Sequence, residues 1–159
     1  MIARCYIGGF GTSKNEVGAV KILLELSAQG YCASQCVLAS CYQMGYCLPK
    51  DGTKAFEWYR EAADQGYAIA QINLGFCYYN GQGVAQDYAK AVEWWTKAAS
   101  QGNAAAQCVL GFCYENGEGV AQDYAKAVEW FTKAARQGDA NAQNWVGICY
   151  YSGLEARIR

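Results

Sequence analysis

The stretch GVAQDYAKAVEW occurs twice in the chain, at residues 83–94 and again at residues 119–130. The two copies start 36 residues apart, and the similarity extends to both sides of them. Residues 70–105 align with residues 106–141 without a gap; eight of the 36 positions differ and 28 match. A fixed period of about 20 to 50 residues is typical of proteins built from stacked structural repeats. The repetition therefore decides the fold.

The same register continues on both sides of these two copies. Residues 34–69 repeat three positions of the pattern: Tyr42, Asp51 and Trp58 lie 36 residues before Tyr78, Asp87 and Trp94. Residues before this segment fit the pattern loosely, and a further copy starts after residue 141. We therefore predict one solenoid domain over residues 1–159, with a divergent N-terminal repeat or cap at 1–33, repeats at 34–69, 70–105 and 106–141, and a partial C-terminal repeat at 142–159.

Each repeat is predicted to contain two helices. The first covers residues 70–80, where Leu74, Cys77 and Tyr78 follow the i, i+3, i+4 spacing of one helix face. Gly81 ends it, because glycine accepts the left-handed backbone conformation that follows many helices.

The second helix is predicted over residues 87–101. Asp87 is a suitable N-cap, since its carboxylate can accept hydrogen bonds from the unpaired N–H groups of the first turn. The predicted buried stripe comprises Ala91, Trp94, Trp95, Ala98 and Ala99. We further expect Trp58, Trp94 and Trp130 to fill the wider gaps between helices. Two short helices cannot bury their own apolar faces, so the repeats must stack.

The pattern AxxxLGxxYxxGxGVxxDxxKAxxWxxKAAxQG, which is clear over residues 34–153, resembles the Sel1-like repeat family, a relative of the tetratricopeptide repeats. The resemblance implies an all-α, right-handed superhelical solenoid and an adaptor that recruits other proteins. Residues 46–53 depart from the pattern. Because Cys47 stands where the other repeats have Gly83 and Gly119, we predict a turn of different shape there.

The resemblance also implies a binding site, since the first helix of each repeat lines a concave groove in such stacks. Carried over by position, the groove residues are Ile72, Phe76, Tyr79, Asn80, Cys108, Phe112, Glu115, Asn116, Ile148 and Tyr151. They mix aromatic groups with amides, which suits an extended peptide or a helix as partner. An alternative is that Phe76 and Phe112 pack against neighbouring helices. Three of the eight differences between the two similar repeats lie in the first helix. Selection for recognition of a partner and simple drift at solvent-facing positions would both explain these differences.

Nine cysteines invite a chemical interpretation. Five form a column with a spacing of 36 residues: Cys5, Cys41, Cys77, Cys113 and Cys149. Equivalent helices in neighbouring repeats lie about 10 Å apart, whereas a disulfide needs Cα atoms within about 7 Å, so this column is predicted to pack as small apolar groups. The others are Cys32, Cys36, Cys47 and Cys108, which match no familiar zinc spacing. A thiol-based redox or metal-responsive protein remains the alternative function.

The composition disfavours several classes of function. The chain has no histidine, which removes the commonest general base and metal ligand, and it contains no motif of a catalytic site. We predict that it is not an enzyme and needs no cofactor, a hydrolase being the least favoured alternative. A net charge of -1 argues against nucleic-acid and anionic membrane partners. With no signal peptide visible, we expect a cytoplasmic location, or a secreted or periplasmic one if the chain is a processed fragment.

The C-terminal edge is the remaining candidate surface. The chain ends with residues 154–159, inside what would be the second helix of a repeat. The last first-type helix would then lack its partner and leave Trp145, Val146 and Ile148 partly exposed. The predicted partners are therefore a protein or peptide in the groove and, through this edge, a second copy of the chain.

Overall fold

The structure, a computed structural model, describes residues 13–152. Within that range it contains eight α-helices and no strand. They are α1 (Ser13–Ala28), α2 (Cys32–Met44), α3 (Gly52–Asp64), α4 (Ala68–Asn80), α5 (Tyr88–Ser100), α6 (Ala104–Asn116), α7 (Tyr124–Arg136) and α8 (Ala140–Ser152). The predicted all-α fold of paired helices is confirmed. The predictions for Cys5 and for the tail at 154–159 lie outside the described residues.

The chain divides into two compact units, residues 1–86 and 87–159. Of the described helices, α1 to α4 belong to the first unit and α5 to α8 to the second. In each unit every helix packs against the next one along the chain. Each helix of a pair thus buries its apolar face against its sequence neighbours, as expected of stacked repeats.

The helix ends follow the predicted signals closely. Helix α4 begins at Ala68, two residues before the predicted start, and Gly81 ends it with a φ of 67°. Helix α5 is capped by Asp87, whose Oδ1 accepts a hydrogen bond of 3.0 Å from the backbone N–H of Lys90. This bond, more than the neighbouring ammonium of Lys90, holds the pKa of Asp87 below its usual value.

The turn that contains Cys47 keeps the shape of its counterparts. Cys47 has a φ of 58°, close to the 73° of Gly83 and the 71° of Gly119. The N–H of Asp51 donates to the carbonyl nine residues earlier at 2.9 Å, and that of Asp123 does so at 2.8 Å. The prediction of a differently shaped turn is therefore wrong. The helices on either side fix the turn, and a cysteine adopts the left-handed conformation there at a cost of about 1 kcal/mol.

The tryptophans at the centre of the second helices are not core residues. Trp58, Trp94 and Trp130 are only half-buried, so the prediction that they fill the gaps between helices is wrong. Lysine ammonium groups lie over two of these rings, Lys97 at 3.7 Å from the centroid of Trp94 and Lys133 at 4.2 Å from that of Trp130. These cation–π contacts keep the rings at the surface, each covered by a lysine one turn further along its helix.

The residue that follows each tryptophan fills the core instead. Tyr59, Trp95 and Phe131 are at most 1% exposed. Phe131 lies directly against Gly111, where a Cβ atom would come within 2.7 Å of its ring. Val92 is also buried, at 6%, although the predicted stripe omitted it. The other four residues of the predicted stripe, Ala91, Trp95, Ala98 and Ala99, are buried, so the stripe is correct except that Val92 belongs to it and Trp94 does not.

Buried glutamines join the helices of neighbouring repeats. The Gln107 side chain donates to the carbonyl of Ala99 at the end of α5 and accepts from Gln137, which follows α7. These bonds measure 3.2 and 2.7 Å. The carbonyl of Ala99 belongs to the last turn of a helix, where carbonyl groups lack intrahelical partners. The bond to the helix-end carbonyl recurs at Gln35, Gln71 and Gln143, and the second bond recurs at Gln35 with Gln65.

Candidate functional site

All ten predicted groove residues lie on the first helices of the repeats, in α4, α6 and α8. Six of them are exposed: Phe76 (37%), Asn80, Phe112 (38%), Asn116, Ile148 (56%) and Tyr151 (96%). Three are half-buried: Ile72, Tyr79 and Glu115. Cys108 is buried, at 5%, and offers almost no surface to a partner. Four of the ten positions lie in the first unit and six in the second, and the groove itself stays a prediction.

In the first unit the exposed aromatic group is Phe76, at the centre of α4. Tyr79 lies one turn further along the same helix, and its carbonyl accepts a 2.7 Å hydrogen bond from Nε2 of Gln86. Asn80 follows at the exposed end of the helix. Residues three and four apart share a helix face, so these side chains form one surface of mixed aromatic and amide character.

A chain of polar side chains borders this part of the first unit. The hydroxyl of Tyr59 is hydrogen-bonded to Ser40 and donates to Oε1 of Gln43, both at 2.9 Å. Gln43 in turn donates to Gln82 at 2.8 Å. Burial raises the pKa of Tyr59, so its hydroxyl stays protonated and able to donate. Sequence periodicity alone did not indicate this network, because Trp95 and Phe131 occupy the place of Tyr59 elsewhere.

A crevice of about 160 Å³ lies in the same unit, lined by Gln43, Lys50, Gly52, Ala55, Cys77 and Gln82. Pockets for small organic ligands usually measure about 300 to 1,000 Å³. Its size suits a few water molecules better than a substrate.

In the second unit Phe112 is both a core residue and a surface residue. One side of its ring meets the edge of Phe131, with centroids 4.8 Å apart, and 38% of the residue remains exposed. Phe131 also stacks on Trp145, at 4.1 Å. The alternative that Phe112 packs on a neighbouring helix is thus correct for part of its ring, and its place in a binding groove stays a prediction.

Trp145 is buried, at 9%, so the prediction that it is exposed at the C-terminal edge is wrong. Its indole N–H donates a 2.9 Å hydrogen bond to Oε1 of Glu115. This bond ties α8 to α6 and fixes the Glu115 carboxylate. Ile148, one turn after Trp145, remains exposed as predicted.

Charge is distributed unevenly between the two kinds of helix. Helices α2, α4, α6 and α8 together contain one charged residue, Glu115. Helices α3, α5 and α7, by contrast, carry five, three and four charged residues. An interface whose centre is poor in charge and rich in aromatic groups is typical of protein–protein recognition.

The cysteine column packs as predicted. Cys41, Cys77, Cys113 and Cys149 are all buried. Burial raises the pKa of Cys77 to about 11 and that of Cys113 to about 12. A thiol of such a pKa carries very little thiolate at neutral pH, and the thiolate is the reactive form. These cysteines pack as core groups.

Cys47 should be the fastest of the described thiols to react with iodoacetamide at pH 8, because it is exposed. We expect Cys77 to react far more slowly, because burial shields its thiol and raises its pKa to about 11, which leaves little thiolate at pH 8. Peptide mapping by mass spectrometry after timed labelling measures both rates. The Cys47→Ser variant should lose the fast site alone. Equal rates at Cys47 and Cys77 in the folded protein would contradict the structural role of the column.

Two kinds of site do not occur among the described residues. Within residues 13–152, no three histidine, cysteine, aspartate or glutamate side chains are grouped so that they could hold a metal ion. Over the same range, none of the helices has the length and apolar character needed to span a membrane.

The repeats match a known family over nearly the whole chain. The Sel1 repeat model matches residues 1–31, 32–67, 68–103, 104–139 and 140–158. The chain belongs to the Sel1 repeat family. Sel1 repeat proteins are generally scaffolds for protein–protein interaction and are typically not enzymes. No curated protein matches the chain.

Solved Sel1 repeat structures resemble this chain closely. A protective antigen of uropathogenic Escherichia coli with an SLR fold is 38% identical, with a TM-score of 0.89 over 96% of this chain and 32% of the antigen. A Sel1 repeat protein from Oxalobacter formigenes is 33% identical, with a TM-score of 0.88 over 96% of this chain and 62% of that protein. Cysteine-rich protein B of Helicobacter pylori is 25% identical, with a TM-score of 0.66 over 86% of this chain and 98% of that protein. This Sel1 chain thus spans about a third of the first relative and less than two thirds of the second.

Proposed function

We propose that this chain is a non-enzymatic interaction module that binds a peptide or a partner protein through the exposed faces of its first helices. The observation that carries the proposal is the exposure of large apolar side chains at one repeat position. Phe76, Phe112 and Ile148, spaced 36 residues apart, are 37%, 38% and 56% exposed. The proposed site retains the residues predicted from the sequence except Cys108, which is buried.

Exposed aromatic groups on a rigid helix favour binding for two reasons. They supply a large apolar contact area, and they lose little conformational freedom when a partner covers them. The amides of Asn80 and Asn116 lie at the exposed ends of the same helices and can pair with the backbone of a bound segment. The near absence of charge from these helices reduces the cost of removing water from the surface.

Replacing Phe76, Tyr79 and Phe112 together with serine should weaken partner binding by at least about tenfold, because aromatic anchors supply most of the energy of such interfaces. The partner is first isolated by pull-down with the intact chain and identified by mass spectrometry. Its affinity for each variant is then measured by biolayer interferometry, with circular dichroism as the check on helicity. Since Phe112 also touches Phe131, an Ile148→Ser, Tyr151→Ser variant tests the surface with less risk to the core.

The matched control removes exposed aromatic groups from the second helices. Tyr88 and Tyr124 are 42% and 46% exposed, and they lie on α5 and α7. Their replacement with serine should leave affinity unchanged. If the control variant loses binding while the first-helix variants keep it, the proposed surface is the wrong one.

A further inference from the structure

The proposed surface contains one carboxylate in an otherwise uncharged setting. Glu115 is the single charged residue of α2, α4, α6 and α8. No lysine or arginine in the described part of the chain forms an ion pair with it, whereas Asp51, Asp87 and Asp123 each pair with a lysine on a second helix. The charge of this half-buried carboxylate is therefore not balanced by an ion pair within the described residues.

The carboxylate is held in a fixed position. Oε1 accepts the 2.9 Å bond from the indole N–H of Trp145, and Trp145 is itself stacked on the buried ring of Phe131. Glu115 therefore does not lose much side-chain freedom when it binds a ligand, and its charge is less screened than that of a fully exposed group. A carboxylate has four lone-pair sites, so one indole bond leaves room for further donors.

Apolar groups flank this carboxylate on the same face. Phe112 lies three residues before Glu115 on α6, so both project from one side of the helix. On α8, Ile148 follows Trp145 by three residues, and Tyr151 occupies the repeat position that Glu115 has on α6. The exposed fractions of these three residues are 38%, 56% and 96%. The second unit thus presents one anionic acceptor among aromatic and aliphatic groups.

From this arrangement we infer that the surface of the second unit binds a protein segment in which an arginine is flanked by apolar side chains. Charge complementarity with Glu115 selects a cation, and the aromatic surroundings favour arginine over lysine. A guanidinium is planar and weakly hydrated; it can pair with a carboxylate and stack on an aromatic ring at once. The inference rests on the proposed function, because it specifies the partner of that same surface.

The test uses the full chain and a phage-displayed library of random 12-residue peptides. We expect the retained peptides to be enriched in arginine next to aliphatic or aromatic residues. The tightest binder is then synthesised twice, once with arginine and once with citrulline, which keeps the shape of the side chain and removes its charge. Affinities are measured for the unaltered chain, for Glu115→Gln and for Glu129→Gln. Glu129 is exposed on α7, so its replacement removes the same charge from a second helix.

Glu115→Gln should weaken binding of the arginine peptide about tenfold, in line with the strength of a hydrogen bond to a charged group, and should weaken binding of the uncharged citrulline peptide much less. Glu129→Gln should leave both affinities unchanged. Glutamine retains an acceptor for Trp145, so the melting temperature of Glu115→Gln should stay near that of the unaltered chain. A purely structural role of Glu115 would show the reverse: a lower melting temperature and equal losses for the two peptides.

The outcomes separate this inference from the proposed function. Two results would overturn the inference alone. One is a set of retained peptides with no bias towards arginine. The other is a Glu115→Gln variant that discriminates between arginine and citrulline as well as the unaltered chain does. The same library is also passed over the Phe76, Tyr79 and Phe112 triple variant. If no peptide is retained better by the unaltered chain than by that variant, the proposed function is overturned, and the inference with it.

Discussion

Phe131→Ala will lower the free energy of unfolding by about 3 to 5 kcal/mol, the usual range for removal of a fully buried aromatic side chain. Phe131 is 0% exposed, and its ring contacts Phe112, Trp145 and the backbone at Gly111. Because the two other rings are held by their own helices, they cannot move far enough to fill the space. Urea denaturation followed by circular dichroism measures the change.

The neighbouring residue provides the control. Trp130→Ala removes a larger side chain, yet Trp130 is half-buried beneath Lys133 and contributes less to the core. We expect it to cost less than half as much as Phe131→Ala. If Trp130→Ala is the more damaging of the two, the core is centred on the tryptophan, as the sequence analysis had predicted, and the assignment of Phe131 is wrong.

Gly119→Ala will destabilise the protein by about 2 to 4 kcal/mol, through two separate effects. Gly119 has a φ of 71°, which costs an alanine about 1 kcal/mol. A Cβ atom there would also overlap the backbone carbonyl of Tyr88. Backbone atoms cannot rotate away as a flexible side chain can, so the helix must shift, and overpacking of this kind costs about 1 to 3 kcal/mol. Thermal and urea unfolding give the loss directly.

Gly138→Ala separates the two effects. Gly138 has a φ of 89°, but no atom lies within 4 Å of a Cβ built on it. This variant should therefore show the backbone cost alone, about 1 kcal/mol. Equal losses at the two positions would show that Gly119 is needed only for its conformation and not for close packing against Tyr88.

The periodicity of the sequence was sufficient to predict the helices and most of their ends. An aspartate that caps a helix and a glycine that follows one act within a single turn, so Asp87 and Gly81 reveal their roles locally. The edge of the buried stripe was harder to predict. Trp94 and Trp95 are adjacent and both apolar, and the spacing placed both of them in the stripe. The position of Lys97 over Trp94 keeps that ring at the surface, and that contact depends on side-chain conformation.

The candidate site was predictable in part. Helical spacing and the resemblance to Sel1 repeats placed Phe112 and Ile148 on exposed faces, and both are exposed. Cys108 follows the same spacing, but its burial depends on how α8 packs over it, which a repeat pattern does not contain. The hydrogen bond between Trp145 and Glu115 could not be predicted from the sequence either, because the two residues are 30 positions apart and neither recurs at its position in other repeats.

The hydrogen bonds of the buried glutamines affect how such a repeat array can lengthen during evolution. Gln107 is bonded to a carbonyl eight residues before it and to an amide 30 residues after it. Both offsets survive when any 36-residue segment is copied in tandem, whatever residue the copy starts from. Gene duplication can therefore lengthen the array without the evolution of a new junction, because each added copy can form the same two hydrogen bonds with its neighbours.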